Sequence, residues 1–326
     1  MEEKITSSGI EKIPLFLARK EMKMKLIAPD YYTQFTCIAD RCQHSCCIGW
    51  EIDIDEDTYE TYRAVTGPFG DRLREHITEQ DGQACFCLSE EERCPFLNCD
   101  GLCDIILNLG EDYLSQICTD HPRFCSFYGD RTEIGLGLCC EEAVRILLSQ
   151  EKKTEWMVLE DDGEVEIPSK EELSFFDFRS KLVSLAQNRK YTLEKRMSEL
   201  LNTVGVREKE ATFSQQIDFI LSLERMDDAW TALLSSKQSS PDGEFFLKND
   251  VPAEQLLVYF LFRHCSDMES IASSVAFSVF SVRFLRSLCE NHHADSARTA
   301  EIVRLYSSEI EYSEENTLLL REYAIS

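Results

Sequence analysis

The stretch Cys37-Ile38-Ala39-Asp40-Arg41-Cys42-Gln43-His44-Ser45-Cys46-Cys47-Ile48-Gly49-Trp50 decides how the rest of the chain reads. It places Cys37, Cys42, Cys46 and Cys47 on one short loop. A protein core does not need small hydrophobes at that spacing. Convergent thiols suit a soft metal, which holds each sulfur deprotonated. The loop reads as half of a metal or iron–sulfur site, against the plainer alternatives of buried reduced cysteines or a disulfide scaffold.

Further thiols follow at Cys85, Cys87, Cys94, Cys99, Cys103, Cys118, Cys125 and the pair Cys139-Cys140. A tetrathiolate site needs loops converging from separate parts of the chain, and these supply them. Such sites select zinc or iron–sulfur clusters. The repeated C-x2-C of zinc ribbons is absent, whereas clusters tolerate irregular spacing and are held by thiolates. An iron–sulfur centre is therefore the expectation and zinc the alternative, with thiols enough for two sites. The C-x3-C-x2-C signature of adenosyl-radical enzymes is also missing, since Gly49 stands where its third cysteine would be. Gly135-Leu136-Gly137 reads as a close-packed strand rather than a dinucleotide loop. His44 is either a ligand, a donor to sulfur or a loop imidazole, and His121, before Pro122, reads as structural.

The chain has 326 residues, 43% hydrophobic and 29% charged, a globular composition with room for one large or two ordinary domains. A net charge of −26 disfavours nucleic acid and anionic membrane surfaces, and suits a basic partner. No cleavable signal sequence and no membrane-spanning run are expected, which points to the cytoplasm. Thiols stay reduced there, so 15 cysteines, an odd number, favour metal over disulfides.

The expected organisation is a leader over 1–24, a cysteine-rich metal-binding domain over 25–150, a linker over 151–169 and a helical domain over 170–326. The fold class is mainly α, the first domain being irregular with short strands. In it, Trp50–Ile54 and Thr132–Leu138 alternate as strands, while Asp57–Ala64, Leu73–Ile77, Glu111–Cys118 and Cys140–Leu148 read as helices. The later helices are expected near Phe213–Leu223, Met226–Leu234, Ala253–Cys265, Ile271–Asn291, Ala297–Ser307 and Glu314–Tyr323. Cys265 and Cys289 fall on their apolar faces as core residues.

Several blocks resemble the flagellin lysine-N-methylases. They are Tyr31-Tyr32-x2-Phe35-x-Cys37, Cys42-x3-Cys46-Cys47-x-Gly49-Trp50, Ile54-Asp55, Thr58-Tyr59-x2-Tyr62 and Cys94-Pro95-Phe96-Leu97. Leu102-Cys103, Leu109 to Leu114, Cys118, Pro122-Arg123, Glu133, Leu136, Leu138 and Cys140 with Glu142-Ala143-x-Arg145 complete the set. A second, sparser match is Tyr259-x-Leu261-Phe262-Arg263-His264. The resemblance implies methyl transfer from S-adenosylmethionine to a lysine amine of flagellin or another lysine-rich protein, together with an iron–sulfur cluster of 4Fe-4S type. By matching positions it implies Cys37, Cys42, Cys46, Cys47, Cys94, Cys103, Cys118 and Cys140 as ligands. Cys85, Cys87, Cys99 and Cys125 have no family position, Cys139 and His121 replace a usual serine and tyrosine, and Glu141 stands where proline is common.

Polar methyl transfer needs a neutral amine aligned with the sulfonium methyl, hence desolvation or a nearby base. Tyr31, Tyr32 and Tyr113 are the catalytic candidates, with Glu111 and Asp112 beside them, and a cleft between the two domains is the expected substrate site. Two other readings remain open at this point: a metal-binding protein without enzymatic activity, and an iron–sulfur electron carrier.

Overall fold

The computed structural model describes residues 25–325 apart from 81, 162, 164–166 and 237–243. The expected leader over 1–24 lies outside the described residues. Helix dominates, as the sequence pattern implies, and the strands are short.

The chain enters at β1 (Lys25–Pro29) and runs through the cysteine loop to β2 (Asp53–Ile54) and α1 (Glu56–Ala64). Asp55 caps α1, its Oδ1 accepting from Thr58 N at 3.0 Å. Pro68 at the first turn of α2 (Pro68–Glu75) has the φ a helix start requires. β3 (Ile77–Gln80) and β4 (Gln83–Phe86) then join β2 in an antiparallel sheet of order β2-β4-β3. After α3 (Asp104–Leu109), the expected helix Glu111–Cys118 is in fact two pieces, a 3-10 turn over Glu111–Tyr113 and α4 (Gln116–Asp120). Leu114 and Ser115 between them are extended, and α4 gets its own start because Asp55 Oδ2 accepts from Gln116 N at 2.8 Å. These elements close on a small core of Ile52, Ile54, Tyr62, Leu73, Phe86 and Phe96.

A second sheet has the order β5-β6-β1-β7, with β5 (Arg123–Phe127), β6 (Arg131–Leu136) and β7 (Trp156–Asp161). β1 runs parallel to β6 and antiparallel to β7. Gly135 lets the tip of the Phe124 ring approach β6; a Cβ there would stand 2.3 Å from its Cζ, so the glycine pair is a packing feature. β7 falls inside the stretch 151–169 expected as a linker, and its pairing with β1 ties that stretch to the front of the chain.

α5 (Glu141–Leu148) buries Ala143, Val144, Ile146 and Leu147 in the core of the helical half. That core is completed by α6 (Lys170–Ala186), α7 (Leu193–Val204), α8 (Phe213–Ile220), α9 (Asp228–Ser235), α10 (Asp250–His264), α11 (Ile271–Asn291), α12 (Ser296–Tyr306) and α13 (Glu314–Tyr323). A π-helical turn, Ser307–Glu311, continues α12. Contrary to the expectation of no such stretch, α11 has the length and apolar composition to cross a membrane. In the fold it is a core helix, with Val275, Phe277, Val279 and Phe284 fully buried. Cys265 and Cys289 are buried in the same core. Two of the buried arginines here are paired: Arg196 with Glu254, and Arg179 with Glu133.

Candidate functional site

The eight thiols named from the sequence fall into two neighbourhoods. Cys47, Cys94, Cys103 and Cys118 all pack in or against the small core of the cysteine half. They stand in mutual electrostatic reach, Cys94 and Cys118 each sensing Cys47 and Cys103. Main-chain bonds hold the loops in register: Cys94 N donates to the Cys47 carbonyl at 2.8 Å, and Leu97 bridges to Cys103. Burial pushes Cys94 up to about 12 and Cys118 to about 11. Bare Cys94 and Cys118 would therefore stay protonated, and a bound cation would hold them as thiolates.

Cys37, Cys42 and Cys140 form the second neighbourhood, Cys42 sensing Cys140 and Cys140 sensing Cys37. Cys42 Sγ donates to the His44 carbonyl at 3.2 Å and lies 3.7 Å from Glu141 Oε2, which also accepts from Gln43 N at 2.9 Å. Glu141 thus fastens the loop to the start of α5. Cys46 lies between the groups, in reach of Cys37, Cys47 and Cys118. Its bond to Cys47 favours the Cys47 thiolate, helped by Ser45 and the Arg93 charge, and keeps Cys46 protonated. Cys103 and Cys140 each precede a helix, and the first backbone N–H groups of α3 and α5 point at their sulfurs. Among the described residues, no group of three or more His, Cys, Asp or Glu side chains closes to ligand distance. The fit to a metal is one of donor chemistry: two sets of thiols, each gathered from distant loops. Of the remaining cysteines, Cys87 and Cys99 are exposed, while Cys85 is buried beside Glu51.

A buried polar network adjoins Cys139. The Tyr312 hydroxyl bonds the Cys139 thiol, which burial pushes up to about 12. Gly137 makes room for it: a Cβ there would lie 2.3 Å from the Tyr312 hydroxyl and 3.2 Å from Arg263 Nη1. Arg263 Nη1 donates to Tyr259 Oη at 2.7 Å, and Tyr259 Oη donates to Glu311 Oε1 at 3.0 Å. His264 Nε2 lies 2.8 Å from the same carboxylate. Burial works against the Arg263 charge, and Glu311 more than offsets it. The segment Tyr259–His264 singled out in the sequence thus meets the π-helical turn at Glu311, a geometry common at functional sites. Sequence reading missed Glu311 and Tyr312, which carry no motif.

The three candidate tyrosines are not packed in one core. Tyr31 is buried in the large core, where burial raises its phenol well above the ordinary range. Tyr32 Oη accepts from Arg123 Nε at 3.0 Å. Tyr113 packs against the cysteine core, and its carbonyl accepts from Tyr62 Oη at 2.7 Å. The His44 imidazole is pulled down by burial and by the charge of Arg304. His121 is pushed down to about 4, by burial and Arg123, and lies against Trp50 with ring centroids 6.0 Å apart. A cavity of about 690 Å³ lies within the helical half rather than in a cleft between halves. Its arginines, Arg283 and Arg286, are engaged by Glu194, Glu208 and Asp250.

Curated relatives identify the class of protein this chain is similar to: lysine-N-methylases, as the sequence blocks suggested. It is 28% identical over 127 residues to the Lysine-N-methylase of Salmonella typhimurium, and equally so to that of Salmonella choleraesuis. A third relative, Flagellar biosynthetic protein FliU of Salmonella muenchen, is 26% identical over 135 residues, 37% of this chain and 75% of that protein. The chain spans about a third of the length of the two methylases it matches, and the match takes in 37% of the chain. No family model and no solved structure matches.

Proposed function

We propose that the chain is a protein lysine N-methyltransferase acting in the cytoplasm on flagellin or another lysine-rich protein, with S-adenosylmethionine as donor. The observation that carries this is the similarity to proteins named Lysine-N-methylase. The net charge of −26 supports it, since an acidic surface attracts lysine-rich segments and repels nucleic acid. In the reaction the neutral ε-amine attacks the sulfonium methyl. A C–N bond forms, the C–S bond breaks with its electron pair leaving on sulfur, and the amine loses one proton to a base or water. The protein's task is to desolvate the amine and align it.

Cys47, Cys94, Cys103 and Cys118 would hold one thiolate-bound centre, and Cys37, Cys42, Cys46 and Cys140 a second. Iron–sulfur is preferred, 4Fe-4S in type, with zinc as the alternative. The centre would supply cross-links between loops that have little apolar core of their own. Protein purified without oxygen should contain iron and acid-labile sulfide and absorb in the visible; zinc alone would replace the cluster reading. Incubation with S-adenosylmethionine and flagellin should add 14-dalton increments to lysines in a mass spectrum, about one methylene each. Metal-loaded protein that leaves every lysine unmodified would sink the transferase reading. The second reading, a metal-binding protein without transfer activity, would then stand, favoured by a match that covers only about a third of each methylase.

A further inference from the structure

Arg304 lies in the last turn of α12, where that helix packs against α5 and α9. It is only 8% exposed. The other deeply buried arginines have partners: Arg196 has Glu254, Arg179 has Glu133 and Arg263 has Glu311. Arg304 has no ion pair among the described residues, and its buried Nε has no hydrogen-bond acceptor. A buried guanidinium N–H without a partner is costly, so Arg304 is suited to take an incoming acceptor. The neighbouring acids do not fill that role. Asp227, Glu301 and Glu141 stand within electrostatic reach, as does Cys139. Each acid is turned to another donor: Asp227 Oδ1 accepts from Ala229 N at 2.7 Å, Glu301 pairs with Arg298, and Glu141 takes Gln43 N. His44 of the cysteine loop faces Arg304 and the same three acids.

The charges around Arg304 select the kind of group it can take. A guanidinium is a planar fork that matches a carboxylate or a phosphate. Three acids close by would repel a multiply charged phosphate. They suit a group carrying one negative and one positive charge side by side. We propose that Arg304 receives the α-carboxylate of an amino-acid head, and that Asp227 or Glu301 receives its α-ammonium. This deepens the methyl-transfer reading and rests on it for the identity of the ligand, the methionine head of the methyl donor. It also places that head beside His44 and Cys139, where the two halves of the chain meet.

The test is calorimetry on the full-length, metal-loaded protein with three compounds. S-adenosylhomocysteine carries the amino-acid head, 5′-methylthioadenosine lacks it, and L-methionine is little more than the head. Wild type should prefer S-adenosylhomocysteine to methylthioadenosine roughly 10- to 100-fold, the range of one charge-assisted bidentate contact. Arg304→Gln should erase that preference while leaving methylthioadenosine affinity unchanged, and Arg304→Lys should restore part of it. Asp227→Asn, which keeps the cap of α9, should lower affinity for S-adenosylhomocysteine alone, and it serves if Arg304→Gln fails to fold. An undiminished preference in Arg304→Gln, or in Asp227→Asn together with Glu301→Gln, overturns the assignment and leaves the methyl-transfer reading intact. Binding of L-methionine through Arg304 without binding of either adenosyl compound keeps the head site and overturns the donor. Wild type that binds none of the three overturns both.

Discussion

The two halves of the chain are held together by different means. In the helical half, α6 to α13 and α5 share one continuous apolar core, and its deep charges are mostly matched. In the cysteine half, the core is small, and thiols occupy positions that hydrophobes would fill elsewhere: Cys94 is inside it, and Cys47, Cys103 and Cys118 line it. A core of that size gives little net stability against chain entropy. The contrast teaches that the cysteines are structural substitutes for apolar area, and that the halves should respond to different perturbations.

The largest expected effect is metal removal. Stripping the anaerobically purified protein with a chelator should abolish amide protection across α1 to α4 and leave α10 to α12 protected. A tetrathiolate metal contributes on the order of 10 kcal/mol to a domain this small. Cys94→Ser should act likewise on metal content and on those amides. If both halves lose protection together, they are one cooperative unit and the contrast fails.

Next in size is the reverse experiment. Glu254→Ala strands the buried Arg196 and also releases Arg189, which Glu254 holds at 2.9 Å. Breaking such a pair costs about 3–5 kcal/mol. The midpoint of urea unfolding should fall accordingly in the helical half, with metal content unchanged. A loss under about 1 kcal/mol would mean that water reaches Arg196 in its place.

A smaller effect is expected in the cysteine half from Asp55→Ala. That carboxylate caps α1 through Thr58 N and starts α4 through Gln116 N. Its loss should cost about 1–2 kcal/mol, as for other helix caps. Because α4 carries Cys118, metal affinity should weaken as well; unchanged affinity would show that the centre, not Asp55, positions α4.

That double bond also shows where the sequence was legible and where it was not. α11 and α13 have the bounds their apolar periodicity gives, because local pattern and tertiary burial agree. Glu111–Cys118 misled because the break at Leu114-Ser115 is set by Asp55, distant in sequence. β7 carries no apolar–polar alternation because it is an edge strand with apolar residues on both faces, Trp156 and Val158 facing outward. The eight thiols carried a family resemblance, but their division did not follow from spacing. Adjacent Cys46 and Cys47 turn toward different neighbours. Arg304 was invisible because an arginine in the last turn of a helix is ordinary; only its burial without a partner sets it apart.

The least severe perturbation is mild acid, and it too separates the halves. His264 is buried uncharged, its pKa depressed below 6.5 by burial, although the Glu311 bond pulls the other way. The unfolded chain therefore takes up this proton first as pH falls. The stability that His264 contributes is complete above 6.5 and is lost as pH drops from there toward its folded value. Glu311 follows lower down: burial alone would raise its pKa, but Arg263 and His264 together depress it below 4.5. Its contribution is present above 4.5 and lost as pH falls through the folded pKa. His121 in the cysteine half, pushed down to about 4, has the same sign over the window from 6.5 to 4. His264→Gln should therefore flatten the dependence of helical-half stability on pH between 7 and 5, read by urea titration with a probe at Trp230, which packs against Tyr306. The cysteine-half amides should keep their own slope. An unaltered helical-half slope in the variant would mean that His264 titrates as an exposed imidazole, and that the network around Glu311 is open to water.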